Sequence, residues 1–286
     1  MESQQSSVDA VQKLDGFATR LETPCGSGSM VWRKWGEGPP LVLLHGGHGA
    51  WTHWIRNIPY YAASYTVWAP DLPGHGESAT PERTDSGDTI AEVIATGLRM
   101  LLADEAPLDV VGFSLGAVLA TYLAAVAPEL VRRLILVDPG GLGTPLGDVR
   151  MASFRGLTEP AEITAAHRQN LLTVMIRHPE TIDALALHVQ ATNVALCRIN
   201  PRPIVMPDLL LKALVRTETP VDAIWGELDN PHPDPEHQRA ALARYRPHLR
   251  FRVVEDAGHW NMYERPEGFH RALDDLLALG PGNHAG

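Results

Sequence analysis

Short runs of unbroken apolar residues constrain this chain most: LVLL at 41–44, VVGF at 110–113, LILV at 134–137 and AIW at 223–225. A strand with one wet face alternates apolar and polar residues, whereas a run without alternation needs cover on both faces. Strands are predicted at 29–35, 41–44, 66–69, 108–113, 134–137, 221–225 and 251–254. Helical spacing fills the gaps at 51–63, 88–103, 115–127 and 266–279, the last opening on Pro266, a favourable first helical position. Strands alternating with helices predict an α/β fold: a mostly parallel sheet, helices on both faces, right-handed crossovers.

The rhythm breaks between 141 and 215. That stretch opens on Gly140-Gly141-Leu142-Gly143, carries helical patterns at 159–178, 179–196 and 208–216, and has no clear strand. It is expected to be a helical cap inserted between a first core segment, 1–140, and a second, 216–286. Residues 1 to about 10 are polar and expected to be disordered. A length of 286 residues is enough for one such domain with an insertion.

Charge and composition remove several function classes. The net charge is −10, and no Lys/Arg-rich run offers a nucleic acid a basic footprint. No window approaches the ~18 consecutive apolar residues of a membrane span. The N-terminus lacks the apolar core of a secretory signal, so a cytoplasmic protein is expected. The two cysteines, Cys25 and Cys197, are far apart and expected to be reduced. The expected partner is a small-molecule substrate, and a homodimer is one assembly open to the chain.

The chemistry concentrates in four loops, each following a predicted strand. Gly112-Phe113-Ser114-Leu115-Gly116 sits between a strand and a helix. A serine on so tight a turn is held in strained backbone with Oγ exposed, and glycines on either side let neighbouring backbone pass. The helix that follows aims its positive end at a developing oxyanion. His45-Gly46-Gly47-His48-Gly49 follows the strand LVLL, and the N–H of Gly47 can join that of Leu115 as an oxyanion hole. His45 and His48 are expected to hold this loop by hydrogen bonds. Gly226-Glu227-Leu228-Asp229 places a carboxylate at a strand end; Asp229 is preferred on loop position, with Glu227 and Asp138 as rivals. Asp256-Ala257-Gly258-His259 supplies an imidazole, and the order Ser, Asp, His matches three separate strand ends.

With these motifs in hand, the chain resembles the α/β-hydrolase superfamily from about residue 20 to 280. The matching segments are LVLLHGGHG, APDLPGHGES, VVGFSLGAVLA, LVDP, WGELD and DAGHW. The resemblance implies a nucleophile at Ser114, a general base at His259 and an orienting acid at Asp229. It makes the loop containing His75 structural, and it argues against dehalogenases and epoxide hydrolases, whose nucleophile is Asp. Within the superfamily, the helical insertion and Trp260 beside His259 resemble the meta-cleavage-product hydrolases, which cut C–C bonds of dienoates. Those usually carry Asn where this chain has Phe113, and a cap arginine for which Arg198 is the counterpart here. The departure at Phe113 favours a carboxylic ester as substrate, with C–C cleavage as the alternative. A receptor built on a dead hydrolase fold is disfavoured because all three catalytic residue types are present. Phe113, Trp260, Trp51 and Arg198 are expected to touch substrate; no cofactor and no metal are expected.

Overall fold

A computed structural model describes residues 2–280. Residue 1 of the expected disordered stretch and residues 281–286 of the expected second core segment lie outside the described residues.

Among the described residues, eight strands form one sheet: β1 (Thr19–Cys25), β2 (Gly28–Trp35), β3 (Pro40–Leu44), β4 (Thr66–Pro70), β5 (Leu108–Phe113), β6 (Val131–Val137), β7 (Val221–Gly226) and β8 (Phe251–Val254). Their order is β1-β2-β4-β3-β5-β6-β7-β8, antiparallel for β1·β2 and β2·β4 and parallel from there on. The helices, in chain order, are α1 (Glu2–Gly16), α2 (Ile58–Tyr61), α3 (Gly87–Leu102), α4 (Leu115–Val126), α5 (Pro160–Asn170), α6 (Ala184–Leu196), α7 (Arg202–Val205), α8 (Leu209–Leu214), α9 (Pro235–Ala243), α10 (Asn261–Glu264) and α11 (Pro266–Ala278).

The unbroken apolar runs are buried on both faces with period two. Val42 and Leu44 of β3, Val110 of β5 and Leu134 and Leu136 of β6 join the core under α3, α4 and α8. Their neighbours Leu41, Leu43, Val111, Phe113, Ile135 and Val137 face the opposite core, shared with α11 and the helices after β3. Both cysteines are free thiols.

Three expectations change. The N-terminal stretch is helical rather than disordered: Val11 and Leu14 of α1 pack on the second core, Trp35 Nε1 donates to Leu14 O at 2.8 Å, and buried Arg33 reaches Asp15 at 2.5 Å. These anchors outweigh a polar composition that alone predicts no order. The single helix expected over 51–63 is a 3₁₀ turn, Trp51–Trp54, followed by short α2. Pro59 at the start of α2 has no N–H to continue a helix from the preceding turn. Strand β1 was not predicted; it is an edge strand, half exposed, with Pro24 in it.

Residues 138–220 separate β6 from β7 and contain α5 to α8, with no strand among the described residues. Leu171, Met175, Ile176, Ala186 and Val189 of this stretch join the second core. Ile204, Leu210, Ala213 and Leu214, also inside the expected cap, are buried in the first core with α4.

Candidate active site

Ser114 sits between β5 and α4 with φ 51° and ψ −113°, a left-handed backbone that a side chain adopts only under constraint. The constraint is visible on both sides. Ser114 N donates to Val137 O at 2.9 Å, extending the β5–β6 pairing to the turn itself. A Cβ on Gly112 would lie 2.5 Å from Gly116 O, and one on Gly116 would lie 2.4 Å from Leu44 O. Only glycine lets the strand, the turn and the helix pass this closely. Ser114 is half-buried and its side chain makes no cap bond to α4, which leaves Oγ free for other partners.

The glycine-rich loop after β3 lies alongside. A Cβ on Gly46 would stand 3.3 Å from Ser114 Cβ, and one on Gly47 would stand 3.8 Å from Leu115 Cβ. Leu115 is the first residue of α4, so its N–H has no acceptor within the helix. Pro201, from the segment before α7, closes over the same loop 3.3 Å from the Cβ position of Gly47.

Behind the loop is a cluster of buried histidines. His45 Nε2 accepts from Leu72 N at 2.8 Å while its Nδ1 faces Gly46 O at 2.8 Å. His53 Nδ1 accepts from Gly46 N at 3.3 Å, and the His75 ring lies 5.2 Å from that of His45. His45 thus holds the loop, as expected; among the described residues the His48 side chain makes no such bond, and His53, not anticipated, does. Burial pushes His45 down to about 4 and His75 down to about 3. Each is depressed from 6.5, so each favours the fold fully above 6.5 and loses that contribution as pH falls through its folded value. Unfolding free energy is therefore expected to fall from pH 6.5 to 4, by roughly 3 kcal/mol for His45 alone. Urea midpoints at stepped pH check this; a flat profile across that window would mean these rings are hydrated.

Asp229 follows β7, its N–H donating to Gly226 O at 3.2 Å. Its Oδ2 lies 3.1 Å from His259 Nδ1, and both side chains are buried. His259 follows β8, and its ring packs 5.0 Å from that of Phe113, the residue before Ser114. Burial would raise the Asp229 carboxyl, but the imidazoles of His259 and His232 outweigh it and hold the group below the ordinary carboxylate range.

The rival acids are engaged elsewhere. Glu227 Oε2 accepts from Asp256 N at 2.8 Å and so ties the two loops together. Asp138 Oδ1 accepts from Gly226 N at 2.8 Å, and its Oδ2 accepts from Asn261 Nδ2. Burial, aided by the charge of Asp229, holds the Asp138 carboxyl well above the usual range.

The residues expected to touch substrate are placed differently. Trp51 packs 5.3 Å from the Trp35 ring with the Arg33 guanidinium 5.3 Å from its own, and its N–H is held by Asp71. Phe113 and Trp260 have no exposed surface; Trp260 Nε1 donates to His53 O at 2.9 Å and its ring stacks on Tyr263. All three belong to the second core, because so much apolar area is better removed from water than left on a pocket wall. Arg198 donates to the carbonyls of Gly76, Ser78 and Leu196, pinning the segment between α6 and α7 to the loop after β4 rather than offering a free cation.

Sequence reasoning missed Glu264. Its buried carboxylate accepts from Gly258 N (2.7 Å), Arg177 N (3.1 Å) and His178 N (2.7 Å), joining the segment between α5 and α6 to the loop that carries His259. Glu264→Gln puts an NH₂ where one oxygen accepted, at an expected cost of about 3 kcal/mol in stability. Denaturant unfolding checks this; an unchanged midpoint would show the loop held by other contacts. His232 was also missed, although its spacing three residues after Asp229 was a readable signal.

A family model described as "Alpha/beta hydrolase family" matches residues 41–272. A 2-hydroxy-6-oxo-6-phenylhexa-2,4-dienoate hydrolase from Burkholderia cepacia is 29% identical, over 86% of this chain and 90% of its own. Among solved structures, naproxen esterase from Bacillus subtilis superposes with a TM-score of 0.73 at 18% identity, covering 96% of this chain and 97% of that one. A meta-cleavage product hydrolase variant gives 0.72 at 20% identity, covering 91% and 98%. At such identities the structural likenesses speak for the fold. The family match spans most of the chain and agrees with the strand order and the serine-bearing turn after β5, and the chain belongs to the α/β-hydrolase family.

Proposed function

We propose that this chain is a serine hydrolase that cleaves a small carboxylic ester through an acyl-enzyme. One observation carries this reading: a strained, half-buried Ser114 at the head of α4, on the same sheet edge as a His259 whose Nδ1 lies 3.1 Å from Asp229. His259 takes the Ser114 proton at Nε2 as Oγ adds to the carbonyl carbon. The N–H groups of Gly47 and Leu115 bind the oxyanion. Collapse expels the alcohol, which leaves with the proton from His259, and water then repeats the two steps on the acyl-enzyme. Asp229 fixes the imidazole tautomer and stabilises its cation.

C–C cleavage of a dienoate is the second reading, favoured by the Burkholderia cepacia relative. Against it stands Arg198, whose guanidinium is spent on backbone carbonyls and is not free to bind an anionic substrate. The test offers purified protein p-nitrophenyl acetate and a dienoate ring-fission product side by side. Faster turnover of the ester, with a serine-directed phosphonate found on Ser114 by peptide mass spectrometry, supports the first reading. Preferential cleavage of the dienoate would replace it with the second.

A further inference from the structure

Asp229 has a second imidazole neighbour that the hydrolytic steps leave unused. His232 Nδ1 lies 3.5 Å from Asp229 Oδ2, the same oxygen that stands 3.1 Å from His259 Nδ1. His232 is buried, and that nitrogen makes no hydrogen bond to any of the described residues. A buried polar nitrogen facing a carboxylate without a bond is costly unless something else occupies the space. Among the described residues, Asp229, His232 and His259 form the one group of three such side chains whose ligand atoms all lie within 4.8 Å of one another.

We propose that these three side chains form an inhibitory site for a borderline divalent cation, Zn²⁺ or a close analogue. Ligands about 2.0–2.1 Å from a tetrahedral zinc are about 3.3 Å from each other, close to both separations seen at Oδ2. Two imidazoles and one carboxylate suit Zn²⁺, Co²⁺ or Ni²⁺; Mg²⁺ and Ca²⁺ prefer an all-oxygen shell. Binding replaces the single proton that His259 Nδ1 would share with Asp229, and that proton passes to solvent. The ring then carries a dication on one nitrogen and resists a second positive charge on the other. His259 can no longer take the Ser114 proton, and Asp229 no longer orients it. The inhibitory consequence rests on the serine-hydrolase reading above; the binding itself does not.

The experiment therefore reads binding and activity separately. Co²⁺ is titrated into metal-free protein and followed by its visible absorption, and ester turnover is measured with and without Zn²⁺, each variant against its own zinc-free rate. One Co²⁺ per chain is expected in the parent, with a tetrahedral-type band that excess Mg²⁺ does not displace. His232→Gln is expected to weaken Co²⁺ binding at least about tenfold and to lose sensitivity to Zn²⁺ in proportion. If that variant fails to fold, His259→Ala removes a ligand from a different loop and must weaken the Co²⁺ band as strongly. A parent without the band, or variants that bind Co²⁺ as the parent does, would overturn the site. A parent that binds Co²⁺ at this site yet hydrolyses no ester would leave the cation site standing and fail the catalytic reading instead.

Discussion

Ser114→Ala is expected to lower ester turnover about a hundred-thousandfold while leaving the protein as stable as its parent. On the proposed mechanism the rate loss follows from removing the atom that forms the acyl bond; what remains is the background supplied by oxyanion donors and substrate binding. The unchanged stability follows from the backbone: alanine at φ 51° carries the same Cβ strain as serine, and the serine side chain makes no cap bond to lose. Ser114→Gly separates the two effects, since it should be equally inactive yet more stable by about 1 kcal/mol through release of that strain. Stopped-flow or endpoint ester assays and urea midpoints measure both. Turnover within tenfold of the parent in either variant would take the nucleophile role away from Ser114.

The second large effect separates two buried carboxyls. Asp229→Asn is expected to cost about 10⁴-fold in kcat, because an amide facing His259 Nδ1 favours the wrong tautomer and cannot offset an imidazolium. Asp138→Asn is expected to cost no more than about threefold. The Asp138 carboxyl is held towards its neutral form by burial and by the charge of Asp229, so a neutral amide of the same shape is a close substitute. Its oxygen can still accept from Gly226 N or from Asn261. Asp138→Ala should fare worse than the amide, because it strands both donors in the interior. Steady-state kinetics on the three variants decide the matter: if Asp138→Asn proves the more damaging of the two amides, the orienting acid belongs on the loop after β6.

How much of this was legible in the sequence varies by element. LVLL and LILV announced β3 and β6 because strands covered on both faces leave no polar position to blur the pattern. The edge strand β1 gave no such signal, since half its residues face water and Pro24 interrupts it. Helix α1 was illegible because its order comes from Arg33 and Trp35, residues on another element. In the candidate site, the glycines around Ser114 could be read directly, since their absent side chains answer a local steric demand. The aromatic residues beside it misled: Trp51, Phe113 and Trp260 are large enough to line a pocket or to fill a core, and nothing in their spacing distinguishes the two.

The amino-acid order by itself determined the sheet class, the tight turn at Ser114 and the set of loops that carry the candidate acid and base. Those features are local: apolar period, glycine placement and strand-to-helix succession act within a few residues. Only the tertiary structure decided that Asp229 rather than Asp138 or Glu227 meets His259, that Arg198 is spent on backbone carbonyls, and that His232 shares Asp229 with His259. Such choices depend on distances between side chains far apart in sequence or packed across loops, and these are set by the crossing and packing of whole elements, which no short stretch of residues encodes.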